Sequence, residues 1–430
     1  MNSNFTMPSY ERYLDSGFDW IGQVPEHWKV TNLGSCLNPI SVKNRPDLTL
    51  LSITRELGVI ERDLEDKDSN HNFIPDDLSG YKLLKAGQFG MNKMKAWQGS
   101  YGVSKFTGIV SPAYYVFDFK MQIEPRFFNW AIRSRLYISY FRSASDGVRI
   151  GQWDLSKGRM KAIPFIIPSS EEQTAIADFL DQKTAQIDEA IVIKEKQIIL
   201  LKERKQTITQ QAVTQGLDPN VPMKDSGVEW IGRIPAHWEV RRSKFLFTQR
   251  KERARKTDVQ LSATQAYGVI PQSEYEALSG NTVVKIQFHL DKRKHVEKND
   301  FVISMRSFQG GLERAWSGGC IRSSYIVLKP LEQINPDFYG YLLKLPSYIK
   351  ALQRTGNFIR DGQDLNFYNF SQVALFIPPL DEQEAIANYV KEFMVSSDQG
   401  IELLQRQIEK LKEYKATLIN SAVTGKVKVA

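Results

Sequence analysis

The sequence predicts a mixed α/β (α+β) protein with two tandem globular parts, two long antiparallel coiled-coil helices that separate them, and a pseudo-twofold internal repeat. Three observations predict this architecture: a repeat at a constant shift, short apolar runs that are typical of strands, and a heptad pattern in each copy. With 430 residues, of which 42% are hydrophobic, the chain exceeds what one core usually organises. Two or more domains are therefore expected.

The repeat has a shift of 210 residues. Residues 15–22 read DSGFDWIG and residues 225–232 read DSGVEWIG. The same shift relates LSIT at 51–54 to LSAT at 261–264. Since matches at a constant spacing indicate duplication, we interpret the chain as a tandem repeat in which each copy holds a globular part followed by a helix.

Each globular part is predicted to mix strands and helices. Apolar runs at 165–167, 302–303 and 325–328 are bounded by Gly, Pro or Ser, as strands are, whereas 125–140 and 335–352 have helical spacing. The strand order stays open. The predicted domain boundaries are 1–168 for the N-terminal globular domain, 169–217 for the central spacer helix, 218–378 for the C-terminal globular domain and 379–430 for the C-terminal spacer helix.

A heptad pattern covers 187–212 and returns at 397–422, which predicts a helix–helix seam about 38 Å long. Ser169 and Ser170 are the capping candidates at the start of the first helix, and we expect Gln173 to close a capping box on Ser170. The alternative is that each helix packs only on its own globular part, but a seam favours pairing with the other helix in antiparallel orientation. The predicted seam residues are Ile187, Ile191, Ile198, Leu201, Ile208, Ile401, Leu404, Ile408, Leu411 and Leu418.

Catalytic motifs for DNA chemistry are missing from the sequence. It contains neither a G-x-G-x-x-G loop opening a helix nor a G-x-x-x-x-G-K-[ST] phosphate loop. The Pro378-Pro379 pair lacks the preceding Asp or Asn and the following aromatic residue of DNA amino-methyltransferases. Glu203 to Lys205 and Glu413 to Lys415 resemble the acid-x-Lys end of a nuclease site, yet both lysines fall on the heptad seam, where a helix-face ion pair is the ordinary interpretation. We expect no catalytic residue in this chain.

Composition limits the compartment and the partner. Cys36 and Cys320 are the two cysteines, and the five histidines are scattered, so neither a disulfide framework nor a zinc site is predicted. His27 and His237 each precede a tryptophan and are interpreted as domain-start packing. Signal-peptide and membrane-span patterns are absent, and a cytoplasmic location is expected. The net charge of +8 favours an acidic partner, with nucleic acid first.

Basic residues cluster in both globular parts, where they can neutralise phosphates or read guanine. Two loop pairs stand out: 94–99 aligns with 305–310, and 147–159 lies opposite 356–365. The alternatives are a solvated charged face and, for the first pair, a strand-end turn that packs its aromatic residue inward. The candidate DNA-binding residues are Lys43, Arg55, Lys93, Lys95, Gln98, Lys105, Arg149, Lys157, Arg159, Arg250, Lys251, Arg253, Arg255, Lys256, Lys292, Arg293, Lys294, Arg306, Gln309, Arg314, Arg322 and Arg360.

Three repeated motifs resemble the specificity (S) subunits of type I restriction-modification enzymes, and together they span nearly the whole chain. Each motif occurs twice and in the same order. The motifs are W-I-G-x-x-P-x-H-W at 20–28 and 230–238, P-x-x-x-E-Q-x-x-I-A at 168–177 and 378–387, and A-V-T at 212–214 and 422–424.

The resemblance implies a non-catalytic subunit whose two globular parts are target recognition domains that read an asymmetric bipartite double-stranded DNA target. Implied partners are two methyltransferase (M) subunits, which use S-adenosylmethionine to methylate adenine, and two restriction/motor (R) subunits, which use ATP and Mg²⁺. This chain would bind no cofactor, no metal and no membrane. The helices would set the gap, and the 38 Å seam corresponds to about 11 base pairs.

Two other hypotheses stay open at this point. A coiled-coil protein-interaction scaffold without sequence-specific DNA reading fits the seam but assigns no role to the basic loops. A self-sufficient methyltransferase or nuclease requires motifs that the sequence lacks.

Overall fold

The computed structural model contains two compact units. One comprises Met1–Glu195 with Gln405–Ala430, and the other comprises Lys196–Leu404. Each unit therefore combines one globular part with a segment of both long helices. The structure describes residues 8–63, 75–146, 153–283, 290–304, 307–355 and 365–429.

The first globular part is built from short strands and helices. In the described residues the strands are β1 (Tyr13–Asp15), β2 (Gln23–Pro25), β3 (Lys29–Asn32), β4 (Leu37–Ile40), β5 (Leu51–Thr54), β6 (Gly58–Glu61), β7 (Lys82–Leu84), β8 (Phe89–Met91), β9 (Tyr101–Val103), β10 (Gly108–Val110), β11 (Tyr115–Phe119) and β12 (Pro164–Ile167). The helices are α1 (Leu33–Cys36), α2 (Pro125–Ile132), α3 (Arg135–Ser143) and α4 (Lys157–Ala162), and the long helix α5 (Ser170–Gln215) follows.

An antiparallel sheet of order β4-β11-β8-β9 forms the centre of the first globular part, and other strands pair two by two. Strand β12 pairs with β3, which joins the end of the globular part to its beginning. Phe89, Phe117, Phe128 and Phe165 are buried together behind the sheet. Their burial supplies the apolar surface that holds these short strands in place.

The second globular part repeats this plan. Its strands are β13 (Met223–Asp225), β14 (Arg233–Pro235), β15 (Glu239–Arg242), β16 (Phe247–Gln249), β17 (Leu261–Thr264), β18 (Gly268–Pro271), β19 (Lys294–Val296), β20 (Phe301–Ile303), β21 (Glu313–Arg314), β22 (Gly319–Ile321), β23 (Ile326–Pro330) and β24 (Ala374–Ile377). Its helices are α6 (Gln272–Ser279), α7 (Ser307–Gly310), α8 (Pro336–Leu342), α9 (Pro346–Arg354) and α10 (Phe367–Gln372), and the long helix α11 (Leu380–Val423) follows.

The sheet order in this part is β16-β23-β20-β21, which matches the first part strand for strand. Strand β24 pairs with β15, as β12 pairs with β3. The predicted apolar runs at 165–167 and 302–303 lie in strands, and the run at 325–328 does so from Ile326 onward, whereas Tyr325 belongs to the preceding turn. The repeat seen in the sequence is therefore a repeat of topology as well.

The two segments with helical spacing each form two helices rather than one. The first breaks at Ser134, whose hydroxyl accepts a hydrogen bond from the Tyr137 backbone and so caps α3. The second breaks before Pro346, which stands at the first position of α9, where a missing N–H costs nothing. The apolar spacing alone predicts one continuous helix in each segment, but the cap at Ser134 and the proline at 346 each start a new helix.

The capping box of α5 lies one residue earlier than predicted. Ser169 accepts a hydrogen bond from the Glu172 backbone at 3.3 Å, and the Glu172 carboxylate accepts one from the Ser169 backbone at 3.1 Å. The predicted box between Ser170 and Gln173 is wrong, because the Gln173 side chain accepts a hydrogen bond from the Glu124 backbone at 2.8 Å instead. Gln173 therefore joins the helix start to the start of α2.

Glu172 also connects two of the repeated motifs. Its carboxylate lies 3.0 Å from His27 Nε2 and accepts a hydrogen bond from Trp28 Nε1 at 3.1 Å. Burial alone raises the pKa of this carboxyl, but hydrogen bonds from His27, Trp28 and Ser169 outweigh it and lower the pKa to about 2. Glu172, in the helix-start motif, thus links α5 to His27 and Trp28 of the opening motif through hydrogen bonds.

The second copy repeats this contact. His237 Nε2 lies 2.5 Å from the Glu382 carboxylate, which also accepts a hydrogen bond from Trp238 Nε1 at 3.0 Å. Trp28 and Trp238 are both buried. The two histidines therefore contact the helix start of their own globular part, which agrees with their interpretation as domain-start packing.

Both long helices end at a glycine in the left-handed conformation, Gly216 with φ 79° and Gly425 with φ 71°. A side chain at Gly216 would contact Trp238, and one at Gly425 would overlap Pro25 and approach Trp28. The chain then continues with a backbone hydrogen bond from Lys428 to Pro8 at 2.6 Å. Each helix end therefore packs on the opening motif of the globular part in its own unit.

Within each unit the two long helices contact each other in antiparallel orientation. In the first unit Lys415 Nζ lies 2.6 Å from the Asp188 carboxylate, and Lys194 donates to Gln407 at 2.6 Å. In the second unit Lys205 pairs with Asp398. These contacts contradict the alternative in which each helix packs only on its own globular part.

The predicted seam positions are buried or half-buried in both long helices. Among the described helices, none combines the length and the apolar content that crossing a membrane requires. The buried seam residues are Ile187, Ile191, Ile198, Ile401, Ile408 and Leu418, and the half-buried ones are Leu201, Ile208, Leu404 and Leu411.

Candidate nucleic-acid interface

Each unit contains a cleft beside one β-hairpin. The N-terminal cleft has a volume of about 640 Å³ and lies between β5, the short 3₁₀ helix Lys93–Gln98 and the turn at 111–114. The C-terminal cleft has a volume of about 920 Å³ and lies between β17, α7 and the turn at 322–325. The two clefts are therefore built from equivalent elements.

The hairpins that form one wall have the same turn. The hydroxyl of Thr54 accepts a hydrogen bond from the Leu57 backbone at 3.1 Å and donates one to the Gly58 carbonyl at 3.2 Å. The hydroxyl of Thr264 makes the equivalent bonds: it accepts a hydrogen bond from the Tyr267 backbone at 3.0 Å and donates one to the Gly268 carbonyl at 3.2 Å. This shared turn explains why the sequence repeats here.

A cation from the neighbouring helices holds each hairpin turn. Arg133 donates to the carbonyls of Arg55 at 3.1 Å and Glu56 at 2.7 Å, and burial lowers the pKa of its guanidinium. In the second unit Lys344 donates to the Gln265 carbonyl at 3.2 Å. Both turns are therefore fixed through their backbone, which leaves the side chains at these positions free to differ.

The opposite wall is a four-residue turn in each cleft. The Tyr114 backbone donates to the Ser111 carbonyl at 3.0 Å, and the Tyr325 backbone donates to the Arg322 carbonyl at 3.1 Å. Both turns follow a strand with a glycine at its start and lead into the central strand of the sheet. Ser111 and Arg322 thus occupy the same position in two matching turns.

A lysine fixes each of these turns. Lys82 Nζ donates to the Tyr114 carbonyl at 2.6 Å, and Lys294 Nζ donates to the Tyr325 carbonyl at 2.5 Å. Burial lowers the pKa of both ammonium groups, and neighbouring cations lower it further. The same bond in both units makes the backbone of the two turns equivalent.

The lining positions of the clefts divide into shared and variable ones. The pairs that keep the same residue type are Leu51 and Leu261, Ser52 and Ser262, Thr54 and Thr264, Gln98 and Gln309, and Tyr114 and Tyr325. The pairs that differ include Arg55 and Gln265, Glu56 and Ala266, Arg62 and Gln272, and Ser111 and Arg322.

The variable positions give the clefts different electrostatics. In the N-terminal cleft Arg55 pairs with Glu56 at 2.5 Å. The described residues that line the C-terminal cleft include Arg293 and Arg322 but neither Asp nor Glu. Arg293 is buried and donates to Gln260 at 3.3 Å, so the exposed cation among these lining residues is Arg322, which lies beside amide side chains and suits the acceptor-rich edges of base pairs.

Several of the predicted DNA-binding residues meet in the clefts. The loop at 94–99 forms part of the 3₁₀ helix, in which Lys95 is exposed while Trp97 packs on Trp153 with ring centroids 5.2 Å apart. The aromatic residue therefore packs inward, and the lysine faces the cleft. The predicted residues that line the clefts are Arg55, Lys95 and Gln98 in the first, and Arg293, Gln309 and Arg322 in the second.

Other predicted residues of the first unit lie outside the cleft lining. Lys93 pairs with Asp154 at 2.8 Å, Lys157 lies 5.0 Å from the Tyr115 ring centroid, and Arg159 pairs with an aspartate. Lys43 and Lys105 are exposed. Arg149, Arg306 and Arg360 lie outside the described residues.

The basic run of the second unit is exposed except at its first residue. Arg253 donates to the Lys292 carbonyl at 3.0 Å, and Arg255 pairs with Glu252 at 3.2 Å. The exposed residues of this group that line neither cleft are Lys251, Arg253, Arg255, Lys256 and Lys292.

Arg250 requires a correction. Its side chain is buried and pairs with Asp300 at 2.7 Å, Glu252 at 2.9 Å and Glu297 at 3.1 Å. A guanidinium held by three carboxylates in the protein interior is not available to DNA. The prediction of Arg250 as a DNA contact is therefore wrong, and its role is structural.

Two further corrections concern Lys294 and Arg314. The Lys294 ammonium is committed to the Tyr325 carbonyl, so it supports the cleft rather than contacting DNA. Arg314 is nearly buried, pairs with Asp337 and lies 4.4 Å from the Trp316 ring centroid, away from the cleft lining. Both cations have intramolecular partners that the sequence does not reveal.

Potential metal ligands occur at Glu252, His295 and Glu297, whose ligand atoms lie within 4.8 Å of one another. Arg250 donates to both carboxylates, and Arg255 donates to one of them. These guanidinium groups occupy the positions from which a cation would bind, so the group forms an ion-pair network.

The sequence reasoning missed several cleft residues. Arg62 and Gln272 occupy equivalent positions, and so do the two tyrosines that the lysines hold. The signal was present: SPAYYV at 111–116 aligns with RSSYIV at 322–327 at a shift of 211. The same shift of 211 relates 94–99 to 305–310, and continuing that alignment along the chain would have identified the turns.

The family model for the type I restriction modification DNA specificity domain matches residues 98–201 and 235–413. The chain belongs to this family. Among curated proteins, the chain is similar to the putative type I restriction enzyme MjaX specificity subunit of Methanocaldococcus jannaschii, with 24% identity over 452 residues that cover 95% of this chain and 96% of the relative. The MjaVIII specificity subunit of the same organism is 24% identical over 319 residues, 69% of each chain.

Solved structures share the fold of this specificity-family chain. A chain from a study of complex assembly and conformational transition in the type I R-M system matches with a TM-score of 0.66 and 13% identity, over 93% of this chain and 98% of that one. The HsdS subunit from Thermoanaerobacter tengcongensis matches with a TM-score of 0.59 and 15% identity, over 94% and 98%.

These matches confirm the predicted family and fold class. The chain is a type I DNA-specificity protein of mixed α/β fold with two long coiled-coil helices. The alternative of an interaction scaffold without sequence-specific DNA reading is not favoured, because the matching family is defined by DNA specificity.

Proposed function

We propose that this chain reads an asymmetric, bipartite double-stranded DNA target, one part with each cleft, and directs the chemistry of partner subunits to it. The observation that carries the proposal is the pair of equivalent clefts, which share Leu, Ser, Thr, Gln and Tyr at five lining positions and differ at others. Two clefts with the same backbone structure but different lining side chains suit the recognition of two different sequences.

Charge supports a DNA ligand. The exposed cations at 251–256 and the lysines around the first cleft can contact phosphates, which position a protein on DNA without reading its sequence. The cleft side chains would then contact base edges. The proposed recognition domains are 1–168 and 218–378, and the proposed spacer helices are 169–217 and 379–430.

We assign the chemical steps to partners. Two methyltransferase subunits would supply S-adenosylmethionine and adenine methylation, and two restriction/motor subunits would supply ATP- and Mg²⁺-dependent cleavage. This chain would contribute the DNA contacts and the surface on which the partners assemble. We further propose that the length of the paired helices sets the number of base pairs between the two recognised parts.

Methylome sequencing tests the proposal. A host that carries this chain and its methyltransferase partner should show adenine methylation in two short sequences separated by a constant gap, and the signal should vanish when this gene is deleted. Modification of one contiguous sequence would contradict bipartite reading.

Binding at increasing salt separates DNA reading from scaffolding. If the chain contacts phosphates, the affinity of the complex for its target should fall steeply between low and physiological salt. A salt-independent affinity, or equal affinity for all DNA sequences, would support the scaffold alternative.

A further inference from the structure

We propose that Arg322 selects a G·C base pair in the part of the target read by the C-terminal cleft, and that the turn at 322–325 is the element that presents it. This inference rests on the proposed function, since it assigns base specificity to one side chain within that cleft.

The backbone that carries Arg322 is held at two points. The turn is closed by the hydrogen bond from the Tyr325 backbone to the Arg322 carbonyl, and Lys294 binds the Tyr325 carbonyl at 2.5 Å. The guanidinium therefore starts from a fixed backbone. Because the backbone is already ordered, only the side chain loses conformational freedom when it binds, and this preorganisation favours specific contacts.

The Arg322 side chain is exposed and lines the cleft. Among the described residues, the structure records no ion pair or hydrogen bond to its guanidinium, whereas Arg250, Arg255 and Arg314 each pair with a carboxylate. Without a competing carboxylate, Arg322 keeps its donors for a ligand. A free guanidinium can donate two parallel hydrogen bonds to guanine O6 and N7, the commonest specific contact in the major groove.

The comparison between the units distinguishes a base contact from a phosphate contact. The phosphate backbone is the same at every sequence, so a phosphate contact at this position would be useful in both clefts. Instead the equivalent turn carries Ser111, although Lys82 holds it by the same bond to Tyr114. Two turns with the same backbone contacts but different side chains are expected where the two clefts recognise different bases.

The surroundings of Arg322 also suit a base edge. Gln272 and Gln309 line the same cleft, and their amides can pair with adenine at neighbouring positions. The exposed lysines that would contact phosphates lie outside the cleft lining. The cleft thus presents one unpaired exposed guanidinium among amides and hydroxyls.

The test uses the full chain in complex with its methyltransferase partner and a panel of DNA duplexes in which each base pair of the target is replaced in turn. The wild-type complex must first bind a split target. If it does not, the proposed function fails before the inference is tested. If it does, the panel gives the discrimination at each position.

Arg322→Ala is expected to reduce discrimination by roughly 10- to 100-fold at one G·C position of the C-terminal part and to leave the N-terminal part unchanged. Ser323→Ala, in the same turn, and Lys298→Ala, an exposed lysine outside the clefts, are matched controls that should keep discrimination at every position. Uniform weakening on all duplexes by Arg322→Ala would make Arg322 a phosphate contact and overturn the inference. Unchanged discrimination, or a change confined to A·T positions, would overturn it as well.

Lys294 is a positioning residue in this scheme, and its substitution gives a second readout. Lys294→Met should lower discrimination at the same G·C position as Arg322→Ala, and Lys294→Arg should restore part of it. Thermal unfolding of each variant identifies any loss of folding. Equal weakening at all positions by a folded Lys294→Met variant would contradict the positioning role.

Discussion

Asp188 and Lys415 form an ion pair of 2.6 Å between α5 and α11, and the same pair recurs 210 residues later as Asp398 with Lys205. Each lysine lies at a seam position of its helix, and each aspartate lies beside the seam of the other helix. The two pairs mark the antiparallel register once in each unit.

Charge exchange tests this register. Asp188→Lys alone places two cations next to each other and should lower the free energy of unfolding by about 1 kcal/mol, because partly exposed pairs contribute little. The double variant with Lys415→Asp should recover most of the loss. Urea denaturation measures both, and Glu195→Gln, an exposed residue of the same helix, is the control. A double variant that is less stable than both single variants would contradict the assigned pair.

The low pKa of Glu172 predicts a specific dependence of stability on pH. Since the folded pKa, about 2, lies below the ordinary value of 4.5, the ionised group stabilises the fold fully above pH 4.5. That contribution is lost as the pH falls through 2. Glu172→Gln should lower the free energy of unfolding by about 1–3 kcal/mol near neutral pH, with a difference from wild type that shrinks below pH 4.5.

The adjacent Glu171 provides the matched control for this measurement, since it is exposed in the same helical turn. Glu171→Gln should leave the pH profile of urea denaturation unchanged. If Glu171→Gln and Glu172→Gln shift the profile equally, the effect comes from general charge at the helix start rather than from the contacts with His27 and Trp28.

Arg250 and Lys251 are neighbours with opposite expected behaviour. Arg250→Met leaves the buried Asp300 without its partner and should lower the free energy of unfolding by about 3–5 kcal/mol. Lys251→Ala should leave stability unchanged and reduce DNA affinity at low salt. Chemical denaturation and salt-dependent binding measure the two effects. Equal stability of wild type and Arg250→Met would show that the buried network contributes nothing.

Removing one heptad from each helix tests the role of the helices. Deleting 192–198 together with 404–410 keeps the seam register and shortens each helix by about 10 Å, which corresponds to about three base pairs. Methylome sequencing should then show both recognised sequences unchanged and a shorter gap. An unchanged gap in a folded, active variant would contradict the proposal that the helices set it.

The repeat made much of the architecture predictable. Helix α5 and the seam follow from local patterns, namely a capping serine and the heptad spacing. The family follows from motifs such as the H-W pair and its glutamate, whose contact in space the sequence did not reveal. Their repetition in the chain signals a structural requirement, and the structure shows that it is a hydrogen-bonded junction.

The clefts were less accessible to sequence reasoning, because each gathers residues from three separated segments. The basic residues look alike in sequence, but their partners distinguish them. Arg250 binds carboxylates 2 to 50 residues away, and Lys294 donates to the Tyr325 carbonyl. Among the described residues, the Arg322 guanidinium has no such partner. Burial and pairing depend on tertiary contacts. A run of basic residues therefore indicates that the ligand is acidic, but it does not show which of these residues are available to contact the ligand.

The packing of Gly425 on Pro25 and Trp28 repeats the packing of Gly216 on Pro235 and Trp238, although the first joins residues distant in sequence and the second joins near neighbours. The order of the halves along the polypeptide is therefore not what defines either unit. A circular permutant that starts at residue 218, runs through 429 and is linked to residue 8 would retain both junctions. Such a rearranged gene should encode the same pair of recognition units, with the point of opening moved from one junction to the other.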